Sequence, residues 1–258
     1  MRMEDLDPDR SRPEYASAAL EDLRWLGMDW DEGPDIGGPF SPYEQSRRRD
    51  GYLSSWWKLR ESGIIYPCRC SRKDLAAALS APHEGPVRSR DPDDEPIYPG
   101  TCLPSRTGEG VFDLSPDLSD GPGRTNWRFH VQSGEVIEFN DLHLGPQRFI
   151  AGVDFGDFLV WSRDQRGGLP SYQLACVTDD AAMQISEVVR GADLLKSTAR
   201  QILLNRALGF ADPRWFHCEL VLDSKGVRLA KRHDALSIRE LRGKGLSPGD
   251  VLSATAFP

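Results

Sequence analysis

The chain has 258 residues, 39% of them hydrophobic and 28% charged, which excludes bulk disorder and allows one large domain or two small ones. No apolar run reaches the length of about 18 residues needed to span a membrane, and the charged opening over residues 1–12 is no secretory signal, so the expected compartment is the cytoplasm. Thirty-two basic against 40 acidic residues give a net charge of −8, the wrong sign for a protein that grips nucleic acid by bulk charge, although a local basic face could still contact RNA.

In chain order, Ser11-x-x-Glu14 reads as a capping box. Tyr15, Ala19, Leu23 and Leu26 then share one helical face, and Gly27 stops the helix. A second helix is predicted over 43–61 and ended by Gly63, with one of Trp56 and Trp57 in the core and the other near an edge. Its Arg47-Arg48-Arg49 run reads as a solvated face. Ile64-Ile65-Tyr66 is a short buried strand leading into Cys68-Arg69-Cys70, and Ser71-x-x-Asp74 opens a short helix. Residues 80–124 hold eight of the 19 prolines and show little periodicity, so something other than an apolar core must organise them. Beyond them, 127–131 and 136–139 alternate like strands of one antiparallel unit, and 158–161 reads as another strand. Residues 172–177 are helical and end in Asp179-Asp180, 185–189 reads as a buried strand, and a helix over 197–208 is closed by Gly209. Leu220-Val221-Leu222 is strand-like. Strands interleaved with helices imply an α/β fold.

Five cysteines with no export signal argue against a disulfide framework and direct attention to close groups. Cys68 and Cys70 precede the proline-rich excursion and Cys102 lies near its far side. Three thiols flanking a core-poor loop are what a structural zinc site needs, because the metal supplies ordering that apolar burial cannot. The fourth ligand is either His83 or Tyr98 of Tyr98-Pro99-Gly100-Thr101-Cys102. A phenol is a usable ligand because a directly bound dication holds it as phenolate. Cys176 and Cys218, in apolar surroundings, read as buried small hydrophobes.

Five segments in this order resemble one family: Arg2-Met3-Glu4-Asp5-Leu6-Asp7-Pro8; the Cys68/Cys70/Tyr98/Cys102 pattern; Tyr172-Gln173-Leu174-Ala175 with Asp179-Asp180; Val189-Arg190-Gly191-Ala192-Asp193-Leu194; and Arg228-Leu229-Ala230-Lys231-Arg232. They look like a class I glutamyl-tRNA synthetase catalytic core, and more closely like the short glutamyl-queuosine tRNA(Asp) synthetases. The resemblance implies an α/β fold with a Rossmann-like parallel sheet and a zinc-bearing connective insertion. It divides the chain into a first Rossmann half over 1–66, a zinc-binding connective region over 67–155 and a second half with the lysine loop over 156–258. It also implies a cytoplasmic, monomeric ligase that activates glutamate with ATP and magnesium and transfers the glutamyl group to queuosine in the anticodon of tRNA(Asp).

By the same resemblance Tyr98 is the fourth zinc ligand, Glu4 meets the glutamate ammonium group, Tyr172 lines the glutamate pocket and Arg190 grips a substrate carboxylate as a bidentate fork. Without it, Glu4 would read as a solvated turn acid. Lys231 matches the second lysine of the family's K-x-S-K loop, the catalytic, ATP-binding residue that steadies phosphate charge during adenylation; Arg228 and Ala230 depart from that pattern. The family's H-x-G-H-type strand and helix precede the Arg2–Pro8 stretch and have no equivalent in this sequence, so the natural product is expected to start upstream of Met1. The alternatives are a fragment of a glutamyl-tRNA synthetase, which charges the tRNA 3′ end, and an inactive zinc-stabilised module that binds RNA or protein. Arg47 to Arg49 and Arg239, Arg242 and Lys244 are equally good candidates for the tRNA surface.

Overall fold

A computed structural model describes residues 1–9, 11–71, 74, 97–104, 121–164, 167–220 and 237–253. In chain order its main elements are α1 (Pro13–Trp25), α2 (Arg49–Glu61), β1 (Ile65–Cys68), β2 (Asn126–Phe129), β3 (Val136–Asp141), β4 (Gly145–Ile150), β5 (Phe158–Ser162), β6 (Leu169–Pro170), α3 (Tyr172–Ala182), β7 (Glu187–Gly191), α4 (Leu195–Leu208), β8 (Arg214–Cys218), α5 (Ile238–Gly243) and α6 (Pro248–Ser253). They fall into two units, Met1–Arg48 with Glu219–Pro258 and Arg49–Cys218. Among the described residues no helix is long and apolar enough to cross a membrane.

In the first unit, α1 begins at Pro13, whose fixed φ and missing N–H suit a first turn, and Arg12 stands at the N-cap with no side-chain cap. The expected Ser11/Glu14 box therefore does not form. Nor is the expected apolar face a core face: α1 buries no residue, and Tyr15 is 62% exposed. Gly27, at φ +83°, does end the helix. A true capping box occurs at Ser237 and Glu240, which exchange side-chain and backbone hydrogen bonds at the start of α5. Arg239 on that helix donates to Glu21 Oε2 at 2.6 Å.

The single helix expected over 43–61 is broken. A 3₁₀ turn covers Gln45–Arg47 and the α-helix starts only at Arg49. Arg48 interrupts it, because its Nη1 donates to the carbonyls of Phe40 and Pro42 at 3.0 and 2.8 Å. Trp56 is fully buried and Trp57 46% exposed, as the pattern predicted.

Among the described residues the second unit contains two four-stranded sheets. One, ordered β1-β2-β5-β6, is antiparallel throughout. The other, ordered β4-β3-β8-β7, is mixed: β8 runs parallel to β7 and β3, and β4 antiparallel to β3. The expected parallel sheet is thus a mixed one, and β2 and β3, expected to form one antiparallel unit, lie in different sheets. Strands β4 and β8 carry too little apolar alternation to be seen in the sequence. β7 is an edge strand rather than a buried one, with Val189 61% exposed. Segments 1–66, 67–155 and 156–258 all contribute strands to the antiparallel sheet.

Helices α2, α3 and α4 form the core with these sheets. Tyr52 donates to Asp179 Oδ2 at 2.8 Å and Thr178 to Ser55 at 2.9 Å, joining α2 to α3. Every residue of α4 from Ser197 to Asn205 is buried, and Gly209 ends it at φ +68°. Of the arginine run only Arg47 is a solvated side chain. Arg49 donates from Nη1 to Gly168 O at 2.7 Å and from Nη2 to Gly167 O at 2.6 Å, and its guanidinium lies 5.3 Å from the Trp161 ring centre. It is a clamp on a backbone turn.

Candidate metal centre and substrate-binding residues

Strand β1 delivers Cys68 into a buried position, and Cys70 follows two residues on. A tight turn at residues 98–102, with Gly100 at φ +77° and Leu103 N–H donating to Gly100 O at 2.8 Å, folds Cys102 back onto Tyr98. The Cys102 N–H donates to Tyr98 Oη at 2.8 Å, the Cys68 thiol donates to it at 3.5 Å, and Cys70 Sγ lies 3.6 Å away. Cys70 and Cys102 Sγ are 3.4 Å apart, and all three sulfurs lie within 4.8 Å of one another.

Those distances fit a tetrahedral zinc site. Bonds of about 2.3 Å to sulfur and about 2.0 Å to oxygen put S···O at about 3.5 Å and S···S at about 3.8 Å, so the two S···O separations already match and the Cys70–Cys102 pair would have to open by about 0.4 Å. The proton chemistry fits too. Burial, together with the surrounding thiols, raises the Tyr98 phenol well above its ordinary value. Burial also pushes the Cys70 thiol up to about 11. At Cys102 burial again acts upward but is outweighed by hydrogen bonds from Tyr98, the Arg69 backbone and the other thiols, which hold it at about 7. A bound dication would reverse the upward shifts by stabilising the anions.

Sequence reasoning missed Arg128. It is only 7% exposed, its Nε donates to Cys68 Sγ at 3.3 Å, and its guanidinium sits 4.0 Å from the Tyr98 ring centre. Three thiolates and a phenolate around Zn²⁺ would carry a net charge of about −2, and Arg128, on the neighbouring strand, would offset part of it, as outer partners of metal sites do. Its signal was there: an arginine between Trp127 and Phe129, all three buried in β2. The alternative ligand His83 lies outside the described residues. Of the other cysteines, Cys176 is buried as expected, but Cys218 is exposed at the end of β8.

The second cluster is built where β7 and β8 run parallel, pairing Arg190 with His217. Arg190 Nε donates to His217 Nε2 at 3.2 Å, and its Nη2 donates to Thr198 Oγ1 at 2.7 Å and Leu194 O at 3.4 Å. Its guanidinium lies 4.9 Å from the Trp215 ring centre. Behind it, His217 Nδ1 is 2.6 Å from Asp141 Oδ2, and both side chains are wholly inaccessible. Burial disfavours the Asp141 carboxylate, but the Leu144 N–H, the His217 ring and the His143 and His217 N–H groups outweigh it and hold the group at about 2. Burial holds His217 below the ordinary histidine value. Residues 142–144 form the β3–β4 hairpin turn, which closes on Asp141 through the His143 and Leu144 N–H groups.

Tyr172 opens α3 behind the N-cap Ser171, and is 36% exposed. The adjacent Gln173 donates to Ser197 Oγ at 2.9 Å, so the first turn of α4 holds Arg190 directly, through Thr198, and Tyr172 through its neighbour Gln173. Glu4 belongs to the other unit. Its side chain is 43% exposed and accepts from Arg2 at 3.2 Å. The segment around it is extended but forms a single bridge, Met3 to Glu44, rather than a strand. Lys231, with Arg228 and Ala230, lies outside the described residues.

A family model described as "tRNA synthetases class I (E and Q), catalytic domain" matches residues 1–256. The chain belongs to this family. As a class I synthetase it is an enzyme of the ligase type, and its α/β fold with mixed sheets follows that of solved glutamate-tRNA synthetases. It is 45% identical to a glutamyl-Q tRNA(Asp) synthetase of Symbiobacterium thermophilum, over 100% of this chain and 75% of that protein. It is 41% identical to a glutamate–tRNA ligase 2 of Nitrosococcus oceani, over 96% of this chain and 49% of that one. Among solved structures, a glutamate-tRNA synthetase from Elizabethkingia anophelis superposes with a TM-score of 0.71 at 27% identity, covering 95% of this chain and 46% of the other.

Proposed function

We propose that this synthetase activates glutamate with ATP and magnesium and transfers the glutamyl group to queuosine in the anticodon of tRNA(Asp). In the first step a glutamate carboxylate oxygen attacks the α-phosphorus of ATP and pyrophosphate leaves; in the second, queuosine attacks the activated acyl carbon and AMP leaves. Arg190 binds a substrate carboxylate, Tyr172 lines the glutamate pocket, Glu4 meets the ammonium group, and Lys231 neutralises phosphate charge. Cys68, Cys70, Tyr98 and Cys102 would hold a structural Zn²⁺, which supplies order to the connective region and takes no part in the chemistry. The same reading makes the protein a cytoplasmic monomer and assigns 1–66 and 156–258 to the two Rossmann halves.

The observation that carries this reading is the Tyr98-centred cluster of three thiols in a chain that aligns along its whole length with a glutamyl-Q tRNA(Asp) synthetase. A tyrosine in that position fits the short synthetases rather than the full-length glutamyl-tRNA enzymes. The test is glutamate-dependent ATP–pyrophosphate exchange without tRNA, followed by transfer of labelled glutamate to tRNA(Asp) with and without queuosine, and to tRNA(Glu). Exchange with transfer only to queuosine-bearing tRNA(Asp) is the expected result. Labelling of the tRNA(Glu) 3′ end would establish the ligase reading, and absence of exchange would leave a binding module.

A further inference from the structure

The pair Asp141–His217 is costly to bury, since neither side chain has any access to water and a desolvated ion or imidazole is stabilised only by its partners. Its arrangement dictates a tautomer. Asp141 Oδ1 already accepts the N–H groups of Leu144, His143 and His217 at 2.8, 3.0 and 3.3 Å. An ionised carboxylate so held can only accept from His217, so the imidazole proton sits on Nδ1. That leaves the Nε2 lone pair facing outward, toward the two donors that meet it: Arg190 Nε–H at 3.2 Å and the Thr198 hydroxyl at 3.2 Å. Thr198 Oγ1 in turn accepts from Arg190 Nη2 at 2.7 Å. The guanidinium is therefore held on its Nε and Nη2 edge, while Nη1 has no hydrogen-bond partner among the described residues.

We infer that Asp141 and His217, acting with Thr198, are positioning residues for glutamate recognition: they lock the neutral Nδ1–H imidazole so that its Nε2 accepts from Arg190 and leaves the Nη1 N–H groups to meet the substrate carboxylate. This rests on the reading of Arg190 as the carboxylate-binding residue. The role of Asp141 is orientational, as that of a buried aspartate behind a histidine is in other sites. Asparagine at 141 can donate to Nδ1, which moves the imidazole proton to Nε2 and points a donor at the Arg190 donors. The guanidinium must then turn away. Since charge-assisted contacts depend steeply on geometry, glutamate affinity should fall on the order of ten- to a hundredfold.

The experiment is calorimetric titration of the full chain with L-glutamate and, separately, with ATP, for the parent and for Arg190→Ala, Asp141→Asn, His217→Asn, His217→Gln and Thr198→Val, each checked by its melting temperature. Arg190→Ala should weaken glutamate binding most. Asp141→Asn and His217→Asn should weaken it at least tenfold with ATP affinity unchanged. His217→Gln, whose longer amide can set an acceptor near the Nε2 position, should recover most of the loss. Thr198→Val, nearly the same shape, should weaken binding and keeps the test decisive if a change at 141 prevents folding. A purely structural pair would lower the melting temperature in both histidine variants without this ordering. Folded Asp141→Asn and Thr198→Val proteins with parental glutamate affinity, beside a weakened Arg190→Ala, would overturn the inference alone. Parental affinity in Arg190→Ala, or a parent that does not bind glutamate, would overturn the carboxylate reading and the inference with it.

Discussion

Replacing Tyr98 by phenylalanine removes one atom, and its consequences can be worked out with and without metal. Without metal, the Cys102 N–H loses its acceptor at 2.8 Å and the Cys68 thiol its partner at 3.5 Å. An orphaned buried N–H costs about 1–3 kcal/mol, and the Cys102 N–H is partly buried, so metal-free stability should fall by about 1 kcal/mol. With zinc, one donor of four is lost. Structural zinc sites contribute roughly 10–16 kcal/mol, or about 3 kcal/mol per donor, and a water entering the fourth position returns part of that. The expected result is zinc bound about a hundredfold more weakly, with stoichiometry still one. The assay is competition with a chromogenic chelator under reducing conditions, supported by cobalt substitution, in which three thiolates give intense charge-transfer bands that survive in the variant. Zinc affinity within threefold of the parent would refute the claim that Tyr98 is a ligand, and less than half an equivalent of zinc in the reduced parent protein would refute the site itself.

Three further outcomes follow from the geometry. Asp141 is held at about 2 against an ordinary 3.8, so its carboxylate stabilises the fold above pH ~4 and this contribution, about 2 kcal/mol, is lost as pH falls toward 2. His217, held below 6.5, acts in the same direction, because the unfolded imidazole takes up a proton first as pH drops below its ordinary value. Denaturant titrations across this range should show the acid loss shrink in Asp141→Asn; an identical profile would refute it. Arg49→Ala frees the carbonyls of Gly167 and Gly168 and uncovers Trp161, and should cost about 2–3 kcal/mol, read as a lowered denaturation midpoint; a change under about 0.5 kcal/mol would mean the clamp holds nothing. Gly123→Ala should destabilise more sharply, since φ is +104° and a Cβ would stand 2.2 Å from the Gly167 carbonyl carbon, which is backbone and cannot swing aside.

Much of the candidate site was legible because its signals are local. The family resemblance, not spacing, chose Tyr98 over His83 as the fourth group, but Cys68-x-Cys70 with Cys102 beyond a core-poor loop marks three thiols able to share an ion. The same holds for α4 closed by Gly209, for α3 opening at Tyr172, and for the split fates of Trp56 and Trp57, adjacent residues that a helix must send to different sides. What was misread depended on neighbours distant in the chain. The Ser11/Glu14 capping box lost to Pro13, which sets the first turn by itself. Arg48 and Arg49 look like solvent residues until the carbonyls they hold, at Phe40 and Pro42 and at Gly167 and Gly168, are brought beside them. Strand β7 is apolar enough to suggest burial, yet it lies at a sheet edge.

The amino-acid sequence by itself determined the family, the helices with strong period and stops, and the α/β character, and it singled out the thiols and the phenol that the fold gathers, since each follows from short-range pattern or ordered motifs. Only the tertiary structure decided that the sheet is mixed, that β2 and β3 part company, that Arg128 supports Cys68, and that Asp141 stands behind His217 at a separation of 76 residues. Such partnerships arise from strand pairing across long loops, and a polar residue buried by pairing looks in sequence like any other polar residue until its partner is in place.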